Sequence, residues 1–416
     1  MSLLEFASGT RRAVPPPVSP SLPLPAPRKM DKSRLEQAAY TVAQIAAQFA
    51  DAVDREARFP LEALNAMREQ HLLAAMVPQE HGGSGASLET IASICQILGR
   101  ACASAGMVFA MHQIQVSCLV EHSKPGTWHH GFLKRLAQHQ WLLASATSED
   151  EVGGNLRKSR CAIEPLLTSF TLHKLAPTIS YGAHADAILA TARRDPDATS
   201  SEQVLVILLR EDTTLTRRGS WDTLGMRGTC SEGFVLDARG QLEQVFSVPF
   251  AHIAERTMVP VSHILWAALW TGIANDAFQR AHRYFRAQTQ NQGGDNGPAG
   301  RRIAEALALV QAMQGRVDGV LRLKSQANHE RSWSESMAAA AEINTLKTFV
   351  SSTALQVVHH AMMICGMAAY KNGTPFSLSR HLRDIYSAPL MINNDRIDSN
   401  TANLMLAQRP ASPERD

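Results

Sequence analysis

The stretch from Leu172 to Phe234 constrains this chain most, because it is built for strands while its flanks are built for helices. Val204 to Leu209 (VLVILL) is a short apolar run, and Ala187, Ile188 and Leu189 form another among small residues. Runs of this length bounded by Gly, Pro, Asp and Ser favour strands. The strand pattern begins at Trp141, where WLLASATSEDEVGGN reads as an apolar strand ending in a polar turn. Outside this block, apolar residues recur at helical spacing. Leu35, Val42, Ile45 and Phe49 mark a helix behind an N-cap at Asp31, and a second covers Leu61 to about Leu72. Further helices begin near Leu88 and Gly106. Beyond Phe250, stripes run through Ile264–Phe285, Ile303–Leu321 and Ile343–Ile364, and a shorter helix runs from about Leu378 to Leu406. The fold class expected is α+β, mostly α. A proline-rich arm over 1–30 precedes an N-terminal helical domain (31–140), a middle β domain (141–251) and a C-terminal four-helix bundle (252–410).

Composition narrows the function classes. With 45% hydrophobic and 19% charged residues over 416, this is an ordinary globular chain. A net charge of +3 and no basic stripe argue against nucleic acid as partner. The six cysteines form no CxxC pair, which suits reduced thiols in a cytoplasmic protein. No uninterrupted apolar run reaches the roughly 18 residues of a membrane span. Arg11 and Arg12 lead into proline, not into the apolar core of a secretory signal. The pairs His129-His130 and His359-His360 lack completing ligands, so no metal is expected. His112 reads as a core residue, and Gly82-Gly83-Ser84-Gly85 as a loop, since it follows no strand.

Candidate chemistry gathers at the strand ends. The hydroxyls and N–H groups of Ser145, Thr147 and Ser148 would face one sheet edge, suited to a flavin ring or a phosphate. Three further motifs follow in order: Thr178-Ile179-Ser180 with Tyr181-Gly182; Gly225-Met226-Arg227-Gly228-Thr229-Cys230-Ser231 with Phe234; and His381-Leu382-Arg383-Asp384. Together they resemble the acyl-CoA dehydrogenase family over nearly everything from Asp31 to Leu406. The resemblance implies that family's fold, with a barrel-like middle domain, and FAD held between the β domain and the bundle. It implies a homodimer or homotetramer in which a neighbour completes the cofactor site. Thr147, Ser148, Thr178 and Ser180 match positions beside the flavin. Arg286 opens the segment that stands for the family's Arg-x-x-Phe-Gly, which reaches a neighbour's FAD. The implied substrate is an acyl thioester on CoA or a carrier protein, with an electron-transferring flavoprotein as acceptor.

The departures bear on the chemistry. Removal of a weakly acidic α-proton needs a positioned base. The family's glutamate position, nine residues after Arg383, is Ile392, and the alternative position near Ser262 or His263 holds no carboxylate. Asp395, three residues beyond, is the candidate base; the other reading pairs it with Arg396 or places it at the start of the following helix. The Arg-x-x-Phe-Gly segment reads RAQTQNQGG, the Gln-x-x-Gly-Gly turn retains Gly366 only, and Thr-Glu-Pro is Ser148-Glu149-Asp150. Three functions stay open. The first is α,β-dehydrogenation of an acyl thioester, with hydride passing to FAD. The second is a flavin-dependent monooxygenase or oxidase, and the third a non-catalytic thioester-binding descendant.

Overall fold

The computed structural model describes residues 31–152, 155–292, 297–327 and 336–408. The proline-rich arm and part of the Gln288–Gly300 segment lie outside the described residues. Helix α1 (Lys32–Glu56) starts where the Asp31 carboxylate accepts the Arg34 N–H at 2.9 Å. Helix α2 (Leu61–Glu69) ends earlier than its periodicity suggests, because His71 takes a left-handed turn at φ 55°. The glycine-rich loop then folds back on itself. The N–H groups of Ser84, Gly85 and Ala86 donate to the Ala74, Val77 and Ala75 carbonyls, so they are not free to cradle phosphate. A Cβ on Gly83 would stand 2.1 Å from the Val77 oxygen, which is why glycine is needed there. Helices α3 (Leu88–Ala101) and α4 (Ala103–His122) follow. Helix α5 (Trp128–His139) has no counterpart in the sequence reading. Its WHHGFLKRLAQH carries few aliphatics, and it packs through Phe132, Leu133 and Leu136 instead.

The middle region forms two sheets. Strands β1 (Leu143–Ala146), β4 (Ala187–Arg193) and β5 (Gln203–Leu209) lie in the order β1-β4-β5, with β1 and β4 parallel. Strands β2 (Glu164–Pro165), β3 (Ser169–Ala176), β6 (Thr213–Arg218) and β7 (Gly233–Gln241) form an antiparallel sheet in the order β2-β3-β7-β6. β4 and β5 are buried almost throughout, matching their unbroken apolar runs, whereas β3 and β7 mostly alternate.

The C-terminal region begins with α6 (Phe250–Ile253), runs through a π-helical turn at Ala254–Met258 and continues as α7 (Val259–Gln292). Helices α8 (Gly297–Ala327), α9 (Met337–Cys365) and α10 (Met367–Tyr370) follow. The single last helix expected from Leu378 to Leu406 is instead three: α11 (Ser379–Ile385), α12 (Ser387–Leu390) and α13 (Asn394–Ala407). Ile392 reverses the chain at φ 45°, and the Asn393 side chain caps α13 by accepting the Asp395 N–H at 2.8 Å. α4 and the continuous α6–α7 segment are apolar and long enough to cross a membrane. Their most apolar windows are 89% and 94% buried within this fold, as core helices are.

Close contact between α3 and α7 bolts the N-terminal helices to the bundle. A Cβ on Gly272 would lie 2.3 Å from the Gln96 oxygen, and one on Gly99 would lie 2.6 Å from the Leu269 oxygen. Each helix therefore offers a glycine to its partner's backbone. Gly272→Ala should cost about 1–3 kcal/mol through overpacking. Gly131→Ala, with nothing within 4 Å of the new methyl, should gain up to ~1 kcal/mol in helix α5. Urea denaturation of both variants checks the contrast.

Candidate functional site

A part-buried ionic junction joins the three regions. Arg383 on α11 grips Asp54 at the end of α1 bidentately, at 2.8 and 2.5 Å, and also donates to the Leu224 carbonyl. Its neighbour Asp384 is 4% exposed and accepts the Met226 N–H at 2.6 Å. Burial pushes the Asp384 carboxyl up to about 6, while the Met226 N–H and Arg380 oppose the rise. Arg227 donates to the Asp54 carbonyl at 2.9 Å and to Asp222. The glycines of GMRGT make this possible. A Cβ on Gly225 would sit 2.1 Å from the Arg383 oxygen, and one on Gly228 2.3 Å from Val53.

From this junction hydrogen bonds run to the sheet edge. Thr229 donates to the Met226 carbonyl at 2.8 Å, its hydroxyl meets Ser231 at 2.9 Å, and Ser231 donates to Ser180 at 2.8 Å. Ser148 donates to the Thr178 carbonyl at 2.9 Å, tying the turn after β1 to the turn after β3. The fold thus brings Ser148 beside Thr178, and Ser180 beside Ser231. Thr229 and Ser231, which close the Gly225–Ser231 motif, thus join the row beyond the residues expected at the site. Ser145 and Thr147 are part-exposed, and their hydroxyls hydrogen-bond to none of the described residues, so both are free for a ligand. Glu149 does not face this edge. It is buried against Lys174 at 3.3 Å and accepts the Ser159 hydroxyl and the Arg160 and Cys161 N–H groups, bracing the turn from behind. Arg286 stands exposed near the end of α7, on a different element from the hydroxyl row.

The last loop carries no buried carboxylate. Ile392 is exposed, and Asp395 is exposed in the first turn of α13, where the helix dipole favours a negative charge. The ionisable group beneath the loop is Lys347 on α9. It is fully buried and donates to the Ile392 carbonyl at 3.0 Å and to Asn394 Oδ1 at 2.7 Å. Burial lowers its pKa to about 8. His263, at the other position considered for a base, is 2% exposed and forced down to about 3 by burial, with Lys347 adding to the effect. A cavity of about 850 Å³ opens elsewhere, between the Met76–Ser87 loop, the end of α4, the π turn and α8. Among its walls are Glu121, Lys324, and His122, whose Nε2 lies 2.9 Å from the Thr257 hydroxyl.

His112 serves as a buried tie. The Leu143 N–H donates to Nδ1 at 3.0 Å, so Nε2 carries the proton and donates to the Leu73 carbonyl at 2.7 Å. Among the described residues, no group of three metal-ligating side chains occurs. His129 and His130 separate, one onto the Gln244 carbonyl and the other against His81.

Family models for the acyl-CoA dehydrogenase N-terminal domain and C-terminal domain match residues 31–139 and 253–391. The chain belongs to the acyl-CoA dehydrogenase family. Members are flavin-dependent oxidoreductases, and this chain is a flavoprotein of that family with the family fold. The chain is 23% identical over 339 residues to a cyclohex-1-ene-1-carbonyl-CoA dehydrogenase of Syntrophus aciditrophicus, covering 80% of this chain and 79% of that one. It is 24% identical over 360 residues to the amino sugar nitrososynthase DnmZ of Streptomyces peucetius, covering 81% and 84%. Among solved structures, the dibenzothiophene monooxygenase TdsC of a Paenibacillus species, in its FMN-bound form, matches with a TM-score of 0.80. The identity is 20%, and the match covers 92% of this chain and 99% of that one.

Burial of His112 couples stability to pH. The unfolded chain binds protons at its histidines from about pH 6.5 downward, whereas folded His112 resists until about 4. Stability is therefore complete above that unfolded value and is lost as pH falls towards the folded one. Urea midpoints should drop between about pH 7.5 and about pH 5, and His112→Gln should flatten part of that slope.

Proposed function

We propose that this protein is a flavin-dependent monooxygenase, acting with reduced flavin and dioxygen on a small organic substrate. The observation that carries the reading is the set of ionisable groups around the last loop. A dehydrogenase must take an α-proton with a placed base, yet the loop offers Ile392 and Asn393 over the cationic Lys347, and its one carboxylate close by, Asp395, faces solvent. The relatives' names include a nitrososynthase and a monooxygenase beside dehydrogenases, which supports the choice without making it.

The hydroxyl row fits a flavin. Ser145 and Thr147 have unused hydrogen-bonding capacity, and Ser180 and Thr178 are held by neighbours that fix their direction. A bound flavin supplies the redox chemistry; the protein orients its polar edge and keeps the other face dry. We take the flavin as FAD, with Arg286 of a second copy on its pyrophosphate. Self-association is supported by apolar side chains left exposed on neighbouring C-terminal elements, among them Met367, Tyr370, Leu390 and Leu406. The cysteines are unpaired thiols, which supports a cytoplasmic setting.

A second reading keeps α,β-dehydrogenation of an acyl thioester, on CoA or a carrier protein, with Asp395 as base and an electron-transferring flavoprotein as acceptor. It is favoured by one observation, the short distance in sequence between exposed Asp395 and Ile392. The two separate in one experiment. Anaerobic titration with acyl thioesters should leave the flavin band intact, while a reductase supplying reduced flavin should drive substrate-dependent oxygen uptake. Thioester bleaching that is lost in Asp395→Ala would establish the dehydrogenase instead. FAD should bind more tightly than FMN, and Arg286→Ala should remove the preference; equal affinities in the unaltered protein would rule out the FAD assignment.

A further inference from the structure

Lys347 is a buried cation without a counter-ion. Its side chain is fully enclosed, and among the described residues no carboxylate lies within ion-pair distance of it. Asp398, exposed on α13, attracts it only from a distance. An enclosed ammonium is expensive unless it is paired. Its two acceptors are neutral, the Ile392 carbonyl and the Asn394 amide oxygen, and Nζ lies 5.7 Å from the Trp270 ring centroid. Around it the fold leaves further polar atoms unpaired. His263, Trp266 and Trp270 follow one another along one face of α7, with successive ring centroids 6.3 and 6.4 Å apart. Both indole N–H groups are buried without a hydrogen-bond partner, whereas the His263 ring interacts with the Ile343 backbone. An indole N–H can only donate.

The loop above them is strained. Ile392 is β-branched and sits at φ 45°, a conformation such residues rarely adopt. Lys347 holds its carbonyl in that state.

We propose that Lys347, with the indole N–H groups of Trp266 and Trp270, forms an anion site for a carboxylate or comparable negatively charged oxygen group of the substrate, admitted when the Ile392 turn relaxes. A single negative charge neutralises the ammonium, and its oxygens accept the idle protons. The inference deepens the proposed function by naming a substrate class, and it rests on that reading only for the ligand being a substrate.

The test uses the full chain and acetate as probe, against chloride at equal ionic strength. Acetate should raise the urea midpoint of the unaltered protein and change its tryptophan fluorescence. Lys347→Met should abolish both responses. Trp270→Phe keeps the ring and loses the N–H, and should weaken the fluorescence-detected affinity several-fold, which provides a check if Lys347→Met does not fold. No acetate response in the unaltered protein, or an undiminished response in both variants, would overturn the site. Oxygen uptake measured separately tells failure of the monooxygenase reading from failure of the anion site, since acetate binding needs no turnover.

Discussion

The Arg383-Asp384 pair is the contact on which the rest of the arrangement depends. One side chain reaches into the N-terminal helices at Asp54, and the next reaches into the β region at the Met226 N–H. Two consecutive residues of a seven-residue helix thereby fix the relative position of all three regions. Buried charges are costly when a partner is lost, so the junction is stable only when all three surfaces are present together. The same loop that receives Asp384 passes hydrogen bonds through Thr229 and Ser231 to Ser180. The candidate flavin edge is thus tied to interdomain geometry and does not stand alone on its sheet.

Much of this was legible in the sequence because local pattern and tertiary demand agree. The apolar run VLVILL is a strand buried on both faces, and the Asp31 cap and the stripes of α1 and α9 stand where their spacing places them. Ser148 and Thr178 were recognisable as neighbours only through family resemblance, since they are 30 residues apart and meet through one hydroxyl. The illegible parts have physical reasons too. Helix α5 buries aromatic and histidine side chains that blur its stripe. The break of the last helix depends on the backbone state of Ile392, which no local pattern announces, and the buried cation Lys347 looks in sequence like any surface lysine.

Chemistry follows from what the bundle encloses. In a low-dielectric interior a fixed cation and oriented N–H groups stabilise negative charge strongly because nothing must reorganise. Removing a proton calls for the opposite, a buried anion. The proposed function rests on that contrast, Lys347 with Asn394 standing where a dehydrogenase needs a placed carboxylate, within one family and one fold.

Through Met226, Thr229 and Ser231, the Asp384 junction holds the candidate flavin edge. Flavin affinity of Asp384→Ala, measured by fluorescence quenching with helicity followed in parallel, tests it most directly. Helicity should be retained and binding weakened by about tenfold or more, since a buried N–H loses its acceptor and the relay to Ser180 slackens. Unchanged affinity in a fully helical variant would contradict it.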